Sequence, residues 1–212
     1  LTIANANEII ESLTNVVLPK ILKKYDSINY SLEGEQQEQG DNLKSLGKNF
    51  ILAMIVVYML LAIPFKSYFQ PLVVMSSIPF GVTGAVMGHI IMGMNLSVLS
   101  MMGIVALTGV VVNDSLVMVD FINRYRREGN SIKQSVLEAG PRRFRPIFLT
   151  SLTTFVGLVP LILEKSTQAK FMIPMAVSLS FGVLFATAIT LLLVPVSYLT
   201  LEKYILKTEE NK

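Results

Sequence analysis

Polar and apolar positions divide the chain near residue 48. Before that point they are mixed. Asn5 to Leu22 carries Ile9, Ile10, Leu13, Val16, Val17 and Ile21 at helical spacing, which predicts an amphipathic helix bent or ended near Pro19. In SINYSLEGE, Ser27 to Glu35, the residues Ile28, Tyr30 and Leu32 alternate with Asn29, Ser31 and Glu33, the period-two pattern of a half-buried strand. A helix followed by a strand predicts the edge of an α/β or α+β domain over residues 1–48. The stretch GEQQEQGDNLKSLGK then reads as a linker or a surface helix leading away from it.

From Asn49 onward the charges thin out, and the intervals between them give membrane spans. Lys48 and Lys66 bracket 17 uncharged residues. Lys66 and Asp114 bracket 47, too many for one helix of about 20 residues and enough for two with a turn; MGMN, Met92 to Asn95, supplies that turn. Arg145 and Glu164 bracket 18, and Lys170 and Glu202 bracket 31, the last long enough to cross with tilt or to run past the interface. Five helices are expected, at about 49–65, 71–92, 97–121, 146–163 and 171–201. They form a transmembrane bundle over 49–203, with a hydrophilic connection over 123–145 and a tail over 204–212. The fold class is therefore mainly α, a polytopic membrane helix bundle behind a short N-terminal remnant of a mixed α+β domain.

Composition supports that class. Of 212 residues, 52% are hydrophobic and 16% charged, with a mean hydropathy of +0.57, too apolar for an ordinary soluble domain. The absence of cysteine excludes disulfides, thiol nucleophiles and cysteine metal sites. The net charge of +3 is small, and the basic residues gather between Asn123 and Arg145: Arg124, Arg126, Arg127, Lys133, Arg142, Arg143 and Arg145, against only Glu128 and Glu138. That clustering signals membrane topology and not a nucleic-acid surface, and the positive-inside rule places it in the cytoplasm. Five crossings then put the tail inside, with residues 1–48, the 92–96 turn and the 164–170 loop outside. Opening at Leu1, with no initiator Met, basic leader or cleavage site, the chain reads as a piece of something longer.

In lipid, small residues repeated every three or four positions mark helix contacts. Ser178, Gly182, Ala186 and Thr190 form such a ladder in the last span; Gly81 with Ala85, and Gly84 with Gly88, do so in the second; Gly103, Ala106 and Gly109 do so in the third. At about 100° per residue, Asp114 falls on the same side as Gly103 and Val110, so its carboxylate is expected inside a helix interface. A charged Asp at mid-span costs about 2.5–3.5 kcal/mol on insertion scales. Its retention points to a group that binds and releases a proton, or, more plainly, to one that caps or hydrogen-bonds a neighbouring helix.

Around it the chemistry is sparse. Asp120, beside the arginine stretch, reads as a solvated or ion-paired end residue in preference to a relay. Thr150, Ser151, Thr153 and Thr154 either shuttle protons or bond the carbonyl one turn back. His89, the single histidine, reads as packed or interfacial, and Met101 and Met102 as core filler. With one His, no Cys and one deep Asp, neither a nucleophile with its base, nor paired aspartates, nor zinc ligands can be assembled, so an enzyme is not expected.

Long motifs then narrow the reading. GIVALTGVVVNDSLVMVDFINRYRREGNSIKQSVLEAGPRRFRPIFLTSLTTFVGLVPLIL, followed by PMAVSLSFGVLFATAITLLLVPVSYL, closely resembles the C-terminal half of resistance-nodulation-division (RND) transporters, the acriflavine-resistance type of efflux pump. The likeness covers essentially the whole chain. It implies the end of the second periplasmic porter insertion followed by helices eight to twelve of twelve, in the bacterial inner membrane, with the N-terminal segment periplasmic and the C-terminus cytoplasmic. It further implies a proton-driven exporter of amphiphilic or hydrophobic compounds, a homotrimer completed by the missing N-terminal half, and a periplasmic adaptor with an outer-membrane channel. No cofactor and no nucleic acid are implied. An RND relative with another task, such as protein-export accessory or lipid or metal export, is the alternative, as is a fragment inert on its own.

In that family two aspartates on the fourth helix pair with a lysine on the tenth and with a Thr and an Arg at the eleventh. By motif the Thr falls on Thr150 in RPIFLTS and the Arg on Arg143 in RRFRP. The lysine position falls on Asn113, and Asp114 stands where the family usually has Asn. This departure puts a third acidic group near the expected pair. It changes how the set holds its protons, or lets Asp114 bind a cation such as Na⁺. Asp114, Asn113, Thr150 and Arg143 are thus the expected coupling residues, and Gly103, Gly109, Ser178, Gly182 and Ala186 the expected packing residues.

Overall fold

The structure, a computed structural model, describes residues 12–23 and 35–210. The strand expected from Ser27 lies outside the described residues, apart from Glu35, which opens a helix. The chain divides into two units, Leu1–Asp41 and Asn42–Lys212. In the first, a π-helical turn at Leu13–Val17 runs into α1, Leu18–Leu22. The helix runs on through Pro19, changing from π to α one residue before it, and ends at Leu22.

The helices that follow are α2 (Glu35–Phe65), α3 (Gln70–Met75), α4 (Ile78–Met92), α5 (Val98–Arg127), α6 (Ile132–Ile162) and α7 (Ala169–Glu210). Among the described residues, five stretches are long and apolar enough to cross a membrane: Asn42–Phe65, Gln70–Met92, Val98–Arg127, Ile132–Ile162 and Ala169–Leu201. The count and order match the spans expected from the charges.

The second span is two helices and not one. Pro79, in the first turn of α4, has no N–H to offer the carbonyl four residues back, so α3 stops at Met75. Hydroxyls cover the carbonyls at the break: Ser76 donates to Val73 O and Ser77 to Val74 O, both at 2.7 Å. Ser77 also meets Ser115 Oγ at 2.7 Å, which fastens the break to α5.

The connection expected over 123–145 is mostly helical. α5 runs on to Arg127, a short turn through Gly129 at φ 93 reverses the chain, and α6 begins at Ile132. Ser131 caps α6 reciprocally with Gln134, and Ser97 caps α5 with Ser100. Charge marks where a helix leaves the apolar phase, while capping decides where it ends.

α7 is the common neighbour of α4, α5 and α6. Its ladder Ser178, Gly182, Ala186 and Thr190 is buried. A Cβ on Gly103 would stand 2.6 Å from Met175 O, and one on Gly88 would stand 2.6 Å from Phe181 Cγ. Such approaches let backbones pack without side chains between them. Gly109 departs from the expectation: it is exposed, with open space where a Cβ would go. Steps of three fall 60° short of a full turn, so two steps from Gly103 rotate Gly109 about 120° away from that face.

At the end of the bundle that carries the arginines, polar side chains tie three helices together. Asn123 and Gln70 exchange amide hydrogen bonds of 2.7 and 3.2 Å, and the buried Tyr198 hydroxyl donates to Asn123 Oδ1 at 2.7 Å. Tyr198→Phe is expected to cost about 1–2 kcal/mol, read as a lowered Tm of the full-length protein in detergent; an unchanged Tm would show that the hydroxyl is dispensable.

Candidate functional site

Asp114 lies near the middle of α5 and is only 8% exposed. Among the described residues it is the single buried carboxylate. Gly103, Val110 and Asp114 recur at near-whole turns of a 3.6-residue helix, which turns the carboxylate toward the neighbouring helices.

Ser151 of α6 is the hydroxyl side chain that lies beside the Asp114 carboxylate. Ser151 is itself buried, lies 3.0 Å from Ile147 O, and meets Thr187 Oγ1 of α7 at 2.6 Å. A serine hydroxyl has one proton and here faces a carbonyl, a carboxylate and a second hydroxyl. It can therefore donate to only one of them at a time, and rotation of the hydroxyl selects which. Carboxylate, serine and threonine thus stand in sequence across three helices, the carboxylate as an acceptor and the two hydroxyls as exchangeable donors. Beside it, between α6 and α7, an apolar cavity of about 510 Å³ reaches Ser151 and Thr187 past Phe144, Phe148, Leu184 and Leu191.

The other expected coupling residues lie elsewhere. Asn113 is exposed, on the side of α5 that also carries Gly109. Thr150 is exposed, and its hydroxyl donates to Ile147 O at 2.8 Å; Thr153 and Thr154 bond carbonyls one turn back in the same way. Arg143 is half-buried with its guanidinium 5.0 Å from the centre of the Phe121 ring. Phe121 is seven residues from Asp114, about 10 Å of helical rise, so Arg143 stands about two turns away, toward the arginine end. Asp120 pairs with Arg124 at 2.6 Å on the surface.

Two participants were not singled out from the sequence as members of this site. Ser151 stood in a row of hydroxyls with nothing to distinguish it until its neighbours were known. Thr187 adjoins Ala186, and its place on the buried face of α7 was the one available signal. His89 is packed as expected: it is 2% exposed, with Nδ1 2.9 Å from Ala85 O and Nε2 2.8 Å from Ser100 Oγ, joining the end of α4 to the start of α5. No three His, Cys, Asp or Glu side chains gather as a metal site among the described residues.

Comparison with known proteins places this arrangement in a family. The chain is 32% identical over 180 residues to the swarming motility protein SwrC of Bacillus subtilis (strain 168), an alignment covering 84% of this chain and 17% of that protein. It is also similar to crystal structures of a heavy metal efflux pump. One crystal form aligns with a TM-score of 0.75 at 25% identity over 90% of this chain and 20% of that one; the other gives 0.72 at 24%, over 90% and 19%. The chain thus spans about a sixth of the length of the curated relative it matches. Since the sequence model of the AcrB/AcrD/AcrF family matches residues 3–202, nearly the full length, the chain belongs to the AcrB/AcrD/AcrF family of RND permeases.

Proposed function

We propose that this chain is part of the membrane domain of a proton-driven secondary transporter that exports amphiphilic or hydrophobic compounds across the bacterial envelope. The role is coupling and not catalysis. One observation carries the reading: Asp114, the single buried carboxylate among the described residues, lies near the middle of a membrane helix beside the paired hydroxyls of Ser151 and Thr187, and a charge there is costly in hydrocarbon unless it titrates in the working cycle. A proton fits such a site better than a metal cation, which calls for several oxygen ligands.

The two faces of α5 divide the work. Asp114 faces inward to Ser151. Asn113 and Gly109 face outward, and an amide beside a glycine on an exposed mid-span face suits another helix better than lipid. The partner is the N-terminal half of the same transporter, whose acidic pair would come to Asn113. By resemblance the whole assembles as a homotrimer in the inner membrane with an adaptor and an outer-membrane channel. The arginine end faces the cytoplasm, in keeping with the positive-inside rule.

In proteoliposomes, the full-length transporter is expected to move a fluorescent amphiphile when a pH gradient is imposed. A protonophore should reduce the flux to background, and replacing Na⁺ by K⁺ should leave it unchanged; loss of flux without Na⁺ would overturn proton coupling. Metal export is the second reading, favoured by the likeness to the heavy metal efflux pump. Proton flux stimulated by a soft metal ion and not by amphiphiles would establish it in place of the first.

A further inference from the structure

Asp114 and Ser115 are neighbours on α5 and both are buried, yet successive helical residues point about 100° apart, so they meet different helices. Asp114 lies beside Ser151 of α6. Ser115 meets Ser77, at the break between α3 and α4, with 2.7 Å between the two hydroxyl oxygens and both residues fully buried. The turn of α5 that carries the carboxylate is thus held to the broken span on its other side.

Three contacts share the two serine protons. Ser77 Oγ lies 2.7 Å from Val74 O, Ser115 Oγ lies 2.9 Å from Val111 O, and the third contact joins the hydroxyls to each other. Val111 O sits within the continuous helix α5, where a backbone N–H one turn on serves it. Val74 O stands at the break, and its backbone contact, from Ser77 N–H, is long at 3.4 Å. The order that satisfies both carbonyls therefore runs from Ser115 to Ser77 and from Ser77 to Val74 O. Removing the Ser115 hydroxyl cuts this chain at its first member.

The break is suited to bending. Its carbonyls depend on hydroxyls that rotate and not on a backbone ladder: Ser76 covers Val73 O, Ser77 covers Val74 O, and Pro79 has no N–H for Met75 O. The apolar core parts at the same level. Along α5, Ile104, Leu107 and Val111 belong to one buried cluster and Met118, Val119 and Ile122 to another, with Asp114 and Ser115 between them. A rotation of α5 by about 15° carries a side-chain oxygen roughly 5 Å from its axis through about 1.3 Å. That exceeds the margin between a 2.7 Å hydrogen bond and none, so the break follows such a rotation or lets go of it. Other titratable groups are distant: Arg143 stands about two turns from Asp114, and the buried His89 and Tyr198 lie toward the two ends of the bundle.

We propose that Ser115 is a positioning residue for the coupling site: by donating to Ser77 it ties the turn of α5 that carries Asp114 to the α3–α4 break, so that the break bends as Asp114 gains and loses its proton. The bend moves α3 and, beyond residues 66–69, the end of α2. This inference rests on the coupling role proposed for Asp114 and adds the element that responds to it.

In proteoliposomes, full-length Ser115→Ala is expected to lose about tenfold in maximal gradient-driven flux, the effect of one hydrogen bond, with the half-saturating concentration of the amphiphile unchanged because no substrate contact is removed. Ser77→Ala should match it, and the double variant should be no worse than either alone. Ser76→Ala, which uncovers a carbonyl at the same break but leaves the tie to α5, should keep its flux. Hydrogen exchange supplies a readout independent of transport. At one alkaline pH, Asp114→Asn should change the exchange rates of the Met75 to Ile78 amides about three- to tenfold relative to the parent, and with Ser115→Ala in both proteins that difference should vanish. Flux lost in Asp114→Asn but undiminished in Ser115→Ala, a break that ignores Asp114→Asn, or one that still responds to it without the Ser115 hydroxyl would each overturn this proposal and leave the coupling role of Asp114 standing. Undiminished flux in Asp114→Asn would overturn both.

Discussion

Asp114→Asn is expected to lower gradient-driven transport by the full-length protein by at least about a hundredfold, the lower range of what a positioned proton-transfer group contributes. The substitution keeps the shape of the side chain and one carbonyl oxygen to accept from Ser151, but leaves nothing to titrate. Packing should survive it, since the neutral amide no longer places a charge in the bundle. A Tm at or above that of the parent, together with lost flux, separates a coupling role from a structural one. Ser151→Ala and Thr187→Val should each cost about tenfold, the effect of removing one hydrogen bond in a chain that reaches a charged group. Asp120→Asn, which breaks an exposed pair with Arg124, should leave transport unchanged, because exposed pairs of this kind contribute little. Undiminished flux in the Asp114 variant would remove the carboxylate from the mechanism.

How far this site could be read from the sequence follows from what helical periodicity can and cannot encode. Spans were legible because charges are excluded from hydrocarbon, so Lys48, Lys66, Arg145, Glu164 and Lys170 fence them off. The break between Met75 and Ile78 was not, because the serines that cover the freed carbonyls look like any polar residue. The inward face of Asp114 was legible, since three turns of α5 return it to the side of Gly103. Ala106 and Gly109 satisfied the same small-residue rule, yet rotate to the exposed side. Partners on other helices carry no such signature. That Ser151 and not Thr150 meets α7 depends on the rotation of α6, a difference of one residue that no local pattern records. Motif resemblance carried Thr150, Arg143 and Asn113 forward as a set, although only Asp114 and Ser151 come together within the described residues.

Gly103→Ala should destabilise the bundle by about 1–3 kcal/mol, while Gly109→Ala should stabilise it by up to about 1 kcal/mol. At Gly103 the added methyl meets Met175 O at 2.6 Å and Ser178 Cβ at 2.8 Å. Neither is the free end of a flexible side chain, so relief requires α5 and α7 to move apart. Gly88→Ala should behave like Gly103→Ala, because Phe181 Cβ and Cγ lie 2.5 and 2.6 Å from the new atom, too close to its backbone for a rotamer change to clear. Gly109 has nothing within 4 Å, so within this chain the methyl meets no obstacle and the helix loses a flexible residue. Thermal unfolding of the full-length protein in detergent orders the three variants against the parent. The Gly109 comparison also probes the outward face of α5. If that face packs against the N-terminal half of the transporter as closely as α5 packs on α7, Gly109→Ala will lose its gain or reverse sign, and Asn113→Leu will lower Tm with it. A gain at Gly109 together with a neutral Asn113→Leu would instead mean that this face meets lipid.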